Sequence, residues 1–263
     1  MDLQIKGKLA LVTGSTGGIG LEIARGLAIE GAKVAIVGRG NGKVDAAVAD
    51  IKASGGAGVN GITADVTTAE GAAEVVRHLP SVDILVNNVG IYESRNFGDI
   101  TDEEWKRYFD VNVLSGIRLS RSYFPGMLER NSGRIIFVSS ESALSGPKDL
   151  IHYGVTKTAQ LTISRGLAEM TKGTKVTVNS VMPGPTRSDG VVEFMKTLAS
   201  DKSASPEAIE AEFFATYKET SLLQRLIEPT EVAGLVAYLA SPLSAATNGA
   251  ALRIDGGLLR TIA

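Results

Sequence analysis

The 263-residue chain contains no cysteine, which excludes disulfides and thiolate metal sites. Its two histidines, His78 and His152, are far apart in sequence. Only Asp/Glu sites are left open to a metal, and no metal is expected. Neither sign of charge dominates: 27 Lys and Arg face 29 Asp and Glu, a formal net charge of -2. A basic footprint for nucleic acid is therefore missing. No apolar run is long enough to cross a bilayer. Met1 to Lys6 show no secretory pattern, so a cytoplasmic location is the expectation. There is no Pro/Gly/Ser-rich linker and no internal repeat. The composition, 44% hydrophobic and 21% charged, is that of an ordinary globular protein.

Short β-branched runs alternate with longer amphipathic segments. Leu9 to Thr13, Lys33 to Val37, Val59 to Ala64, Ile84 to Val86, Arg134 to Val138, Val176 to Val181 and Ala251 to Ile254 read as strands. Helical spacing fills most of the gaps, as with Ile19, Ile23 and Leu27. The alternation predicts an α/β, doubly wound Rossmann fold, with a seven-stranded parallel sheet and helices on both faces. Residues 1–263 read as a single dinucleotide-binding and catalytic domain. From Thr186 to about Arg225 no strand signal occurs, but apolar clusters do, among them Val191, Phe194, Phe213 and Phe214. A stretch of this length predicts a helical substrate lid over 186–225. A helical excursion packed on a neighbouring subunit is the other reading.

Ligands of such sheets bind beyond the carboxyl ends of the strands. After the first strand comes Thr13-Gly14-Ser15-Thr16-Gly17-Gly18-Ile19-Gly20. Glycines there let the backbone approach a pyrophosphate, and the following helix N-terminus favours its charge. The second strand ends at Val37-Gly38-Arg39 with no acidic residue to accept the ribose 2′-hydroxyl of NAD. Arg39 instead offers a guanidinium to a 2′-phosphate. NADP(H) is therefore favoured, with NAD(H) still open. Asp65, followed by Val66, can accept a hydrogen bond from an adenine amino group. Asn88 and Gly90, in Asn87-Asn88-Val89-Gly90, are the small and amide residues expected where backbone meets cofactor.

Tyr153 and Lys157 are four apart in a helical segment and so share a face. A phenol has a reference pKa of about 10, and a nearby cation lowers it. The pair is suited to acid/base work on a hydroxyl proton.

Taken together, these residues resemble the short-chain dehydrogenase/reductase family, in its compact single-domain branch close to 3-oxoacyl-carrier-protein reductases. The likeness runs over nearly the whole chain. It implies that Asn112, Ser140, Tyr153 and Lys157 are the catalytic set, and that Pro183, Gly184 and Thr186 contact the nicotinamide carboxamide. On this resemblance Ser140 and Tyr153 would bind the substrate oxygen. Lys157 would hold the cofactor ribose and lower the pKa of Tyr153, and Asn112 would anchor a relay water. Tyr153 would then exchange a proton with a carbonyl or secondary alcohol while hydride moves to or from NADP(H) or NAD(H). A homodimer or homotetramer is implied as well. Two departures stand out. Val89 replaces the usual Ala and would narrow the nicotinamide site, and His152 would face either the substrate or a neighbouring subunit. The competing activities are a non-enzymatic NADP-binding sensor, disfavoured by the presence of both Tyr153 and Lys157, and an NAD-dependent alcohol dehydrogenase. An enoyl reductase is disfavoured by the four-residue spacing, and an extended sugar-nucleotide epimerase by the length.

Overall fold

In the computed structural model, which describes residues 1–262, seven strands form where the sequence predicts them. They are β1 (Leu9–Thr13), β2 (Lys33–Gly38), β3 (Val59–Thr63), β4 (Ile84–Asn87), β5 (Gly133–Val138), β6 (Val176–Pro183) and β7 (Ala251–Ile254). They make one sheet in the order β3-β2-β1-β4-β5-β6-β7, and every pairing is parallel. The helices are α1 (Gly18–Ile29), α2 (Asn41–Ala53), α3 (Ala69–His78), α4 (Asp102–Phe109), α5 (Ser115–Glu129), α6 (Ser142–Ser145), α7 (Ile151–Glu169), α8 (Asp189–Leu198), α9 (Pro206–Tyr217) and α10 (Pro229–Ala240).

β1, β2 and β4 are near-continuous apolar runs because both faces of the sheet are covered there. Successive side chains alternate between those faces. Ala10 and Val12 therefore pack with Ile23 and Leu27 of α1, Ile51 of α2 and Val236 of α10. Leu11, between them, packs on the other side with Val75 of α3, Leu119 of α5 and Ala168 of α7. Full burial of each Leu or Ile stabilises the fold by roughly 1.5–3 kcal/mol. Local signals set where helices begin. Thr68 caps α3 by accepting from Gly71 N at 3.0 Å, and Thr101 with Glu104 forms a capping box on α4.

The strand order reverses between β1 and β4. The loops after these two strands diverge, leaving a crevice at their carboxyl ends. Residues 186–225 form α8 and α9, which pack on each other around Met195, Ile209, Phe213, Phe214 and Leu226. Phe213 and Phe214 thus belong to a small core of their own. Arg187 fastens this unit, pairing with Glu210 of α9 at 3.0 Å and with Glu228, just before α10, at 2.8 Å.

Candidate active site

The glycine turn after β1 is shaped by contacts as close as its spacing requires. Gly14 has φ +62° and Gly18 φ +54°, a region in which side chains are strained. A Cβ at Gly20 would stand 2.4 Å from both Asn88 Nδ2 and Gly14 O, whereas one at Gly17 would meet nothing within 4 Å. The turn is closed on its protein side and open on the other. Gly17 caps α1 with no side-chain hydrogen bond, so the first N–H groups of α1 face outward beside Thr16, Gly17, Gly18 and Ile19 and can accept an anion. This cradle fits a dinucleotide pyrophosphate.

Two of the residues expected to contact cofactor spend their side chains on the protein. Ser15 is buried, donating to Val12 O at 2.7 Å and accepting from Val37 N at 3.0 Å. Asn88 Nδ2 donates to Thr13 O at 2.9 Å and Gly14 O at 3.2 Å, tying the end of β4 to the turn. Both shape the cradle. Val89 presses on the same turn, with its Cγ2 3.1 Å from the position of a Cβ on Gly14.

Arg39 is exposed at the end of β2, and no ion pair involves it among the described residues. Asp65 Oδ1 accepts from Thr67 N at 3.0 Å and Thr67 Oγ1 at 2.7 Å, which fixes the loop after β3. Val66 beside it is buried. Pro183 ends β6. Gly184 lies against the backbone of Asp255, where a Cβ would stand 2.9 Å from Asp255 O. Thr186 donates to Gly184 O at 2.9 Å.

Tyr153 and Lys157 stand on one face of α7, with Lys157 Nζ 5.5 Å from the Tyr153 ring centroid. Lys157 is buried and donates to Val138 O at 2.9 Å. Gly90 opens the space above it, since a Cβ there would lie 3.3 Å from Lys157 Nζ and 3.6 Å from Asn112 Oδ1. Ser139 holds the backbone of α7 by donating to Lys157 O at 2.9 Å. Ser140, the next residue, turns its hydroxyl to the Tyr153 phenol and accepts from Ser142 N at 3.1 Å. Ser140, rather than Ser139, is therefore the hydroxyl beside Tyr153.

The electrostatics differ from the expectation that Lys157 depresses the Tyr153 pKa. Burial pushes the Tyr153 phenol up, and the Ser140 hydrogen bond only partly offsets this. Burial pushes the Lys157 ammonium down to about 7, with no carboxylate to oppose it. In the protein by itself burial moves both groups towards their neutral forms, and the Glu141 carboxylate adds to the rise at Tyr153.

Asn112 sits in a π-helical turn, Asp110–Leu114, between α4 and α5. Its side chain is held at both ends: Oδ1 accepts from Ile91 N at 2.8 Å, and Nδ2 donates to Ile91 O at 3.0 Å and Thr156 Oγ1 at 2.9 Å. Its backbone carbonyl is linked to Lys157 through Gln160. His152, expected to face the substrate or a neighbouring subunit, is instead enclosed by its own chain. It is fully buried, with its ring centroid 4.1 Å from Tyr108 and 6.2 Å from Trp105, because α4 packs over the start of α7.

Several neighbours of the site carry no recognisable motif. Tyr92 meets Tyr153 edge-on at 6.1 Å. Its hydroxyl lies 2.9 Å from a Cβ position on Gly190, in the first turn of α8. Glu141, buried next to Ser140, pairs with Lys218 at 3.1 Å. Gln160 could have been found from its position, one turn on from Lys157 on the same face of α7. For Tyr92, Glu141 and Lys218 no signal in the sequence links the separate segments.

Residues 8–199 match the sequence model of the family described as short chain dehydrogenase. Two proteins of Bacillus subtilis (strain 168), the uncharacterized oxidoreductases YvaG and YvrD, are 48% and 44% identical to the chain, each aligned over 100% of both chains. The crystal structure of L-sorbose reductase from Gluconobacter frateurii, complexed with NADPH and L-sorbose, superposes with a TM-score of 0.92 at 33% identity, covering 100% of both chains. With a seven-stranded parallel sheet, a glycine turn at its switch point and this coverage, the chain belongs to the short-chain dehydrogenase family of oxidoreductases.

Proposed function

We propose that this oxidoreductase transfers hydride between NADP(H) and the carbon of a carbonyl or secondary alcohol, with Tyr153 as the proton donor or acceptor. The observation that carries the reading is the convergence of Ser140, Tyr153 and Lys157 at the strand ends beside an open, uncapped glycine turn. When bound, the nicotinamide supplies or takes the hydride. Gly14 to Ile19 hold the pyrophosphate, Arg39 the 2′-phosphate, Asp65 and Val66 the adenine, and Pro183, Gly184 and Thr186 the carboxamide end.

Ser140 and Tyr153 bind the substrate oxygen. In reduction Tyr153 donates its proton to the developing alkoxide; in oxidation its phenolate removes one. The raised pKa of Tyr153 suits the reductive direction, where the phenol must arrive protonated. For oxidation, moving a phenol from about 10 to about 7 takes roughly 4 kcal/mol of differential stabilisation, and a buried tyrosine takes more. Lys157 contributes to that only once it is charged, which favours its pairing with ribose hydroxyls and phosphate. The α8–α9 unit serves as the lid, since it reaches the site through Gly190 at Tyr92 and Lys218 at Glu141.

The relative that binds NADPH and L-sorbose makes a ketose the first carbonyl to try. Purified protein is titrated with NADPH by fluorescence, then assayed at the nicotinamide absorbance with L-sorbose and a panel of aliphatic, cyclic and aryl ketones. Saturable NADPH binding together with consumption of NADPH dependent on one of these ketones is expected. Failure to bind NADPH, or binding without turnover of any ketone or alcohol, overturns the reading, the second outcome in favour of a cofactor sensor.

A further inference from the structure

Beyond the acid/base pair described above, the same helix buries a polar side chain in contact with Lys157. Gln160 is 2% exposed, on α7 three residues beyond Lys157. Its Oε1 accepts from Lys157 Nζ at 3.4 Å, and its Nε2 donates to Asn112 O at 2.5 Å. Both ends of one amide are therefore occupied, one by the lysine and the other by a carbonyl that the π-helical turn directs towards α7. Such wide turns recur at functional sites. The family resemblance sets a relay water at Asn112; in this chain a fixed side chain already takes one lone pair of that carbonyl.

We infer that Gln160 is a positioning residue for Lys157, an amide bridge that anchors the lysine Nζ to the Asn112 backbone carbonyl. An amide differs from water in two ways that matter here. It holds a fixed acceptor against the ammonium, and it does not readily pass a proton on. The lysine is thereby kept aimed at Tyr153 and the cofactor ribose. The two acceptors of Lys157, Val138 O and Gln160 Oε1, both come from the chain, and no carboxylate takes part in its shift. Tyr153 is the titratable group beside it.

The inference rests on the proposed role of Lys157, and its test is independent of turnover. The protein is labelled with [ε-13C]lysine, and the Lys157 signal is assigned by its disappearance in Lys157→Met. Its titration midpoint is then followed by NMR in wild type, Gln160→Met and Gln160→Glu. Removing the acceptor in Gln160→Met disfavours the ammonium, so the midpoint falls by about half a unit or more. A carboxylate in Gln160→Glu favours the ammonium, so the midpoint rises. Opposite shifts in two folded variants are not produced by a general loosening of the core. Gln160→Glu is nearly isosteric and carries the test by itself if the methionine variant does not fold. An unchanged midpoint in Gln160→Glu, or shifts of the same sign in both variants, overturns the inference. Opposite shifts in a protein that reduces no ketone would uphold this bridge while overturning the proposed reaction.

Discussion

Lys157 Nζ lies 5.5 Å from the centre of the Tyr153 ring, on the same face of α7. The ammonium is near enough to act on the phenolate, and the hydrogen bonds of Lys157 Nζ go to Val138 O and Gln160 Oε1. Tyr153→Phe removes the transferable proton and leaves the helix, the glycine turn and Lys157 in place. NADPH affinity should change less than about twofold, while kcat falls by at least about 10³-fold, the scale of a lost general acid. Fluorescence titration and steady-state rates with any accepted ketone check this. Retention of a tenth of the wild-type rate assigns the proton to another group.

Arg39 stands exposed at the end of β2, with Asn41 Oδ1 nearby accepting from Thr63 at 3.1 Å. A guanidinium favours a 2′-phosphate, and a carboxylate would instead accept from a 2′-hydroxyl. Arg39→Asp should weaken NADPH by about 10-fold or more, the value of a charge-assisted contact, and strengthen NADH. The ratio of kcat/KM for the two cofactors is the measurement. An unaltered ratio means that Arg39 is a solvated loop residue.

The inner strands are readable because they are β-branched or aliphatic runs between turn residues, and both faces of a parallel sheet demand apolar side chains. Gly14, Gly18 and Gly20 were readable for the same kind of reason, since their backbone or their neighbours leave no room for a side chain. His152 was not. A histidine next to Tyr153 invites a part in the chemistry, and only the packing of α4 on α7, with Tyr108 and Trp105 around the ring, shows it buried instead. The use of Ser15 and Asn88 to brace the turn, and the capture of the Asn112 carbonyl by Gln160, also depend on distances between segments far apart in sequence. The electrostatics of the pair depended on burial, which spacing alone does not convey.

His152 is fully buried, and neither of its ring nitrogens has a hydrogen-bond partner among the described residues. Burial lowers its pKa, with Glu104 and Glu93 opposing only in part. It is therefore neutral in the fold, whereas the unfolded chain takes up a proton as pH falls through about 6.5. The unfolded state then binds more protons, so this residue's effect on stability turns unfavourable below that pH. His152→Leu removes both the unpaired nitrogens and the titration. Its stability relative to wild type should rise as pH falls from 7 to 5, by about 1 kcal/mol or more. Urea unfolding at both pH values measures it. A constant difference between the two proteins would place partners on the ring.

Gly20 is bounded by Asn88 Nδ2 and by Gly14 O, each 2.4 Å from where a Cβ would be. One neighbour is the amide that binds β4 to the turn, and the other is backbone. Neither has a flexible end to yield, so Gly20→Ala must displace the turn or break the Asn88 bonds to Thr13 O and Gly14 O. Overpacking of this kind costs about 1–3 kcal/mol. Because the same bonds hold the cradle open, NADPH affinity should fall by about 10-fold or more along with stability. Gly17→Ala is the matched control, for a Cβ there meets no protein atom within 4 Å. It should keep wild-type stability and weaken NADPH binding alone, since only a bound phosphate would meet the new methyl. Thermal unfolding with and without NADPH separates the two variants. Equal loss of stability in both would show that the turn is not closed on its protein side.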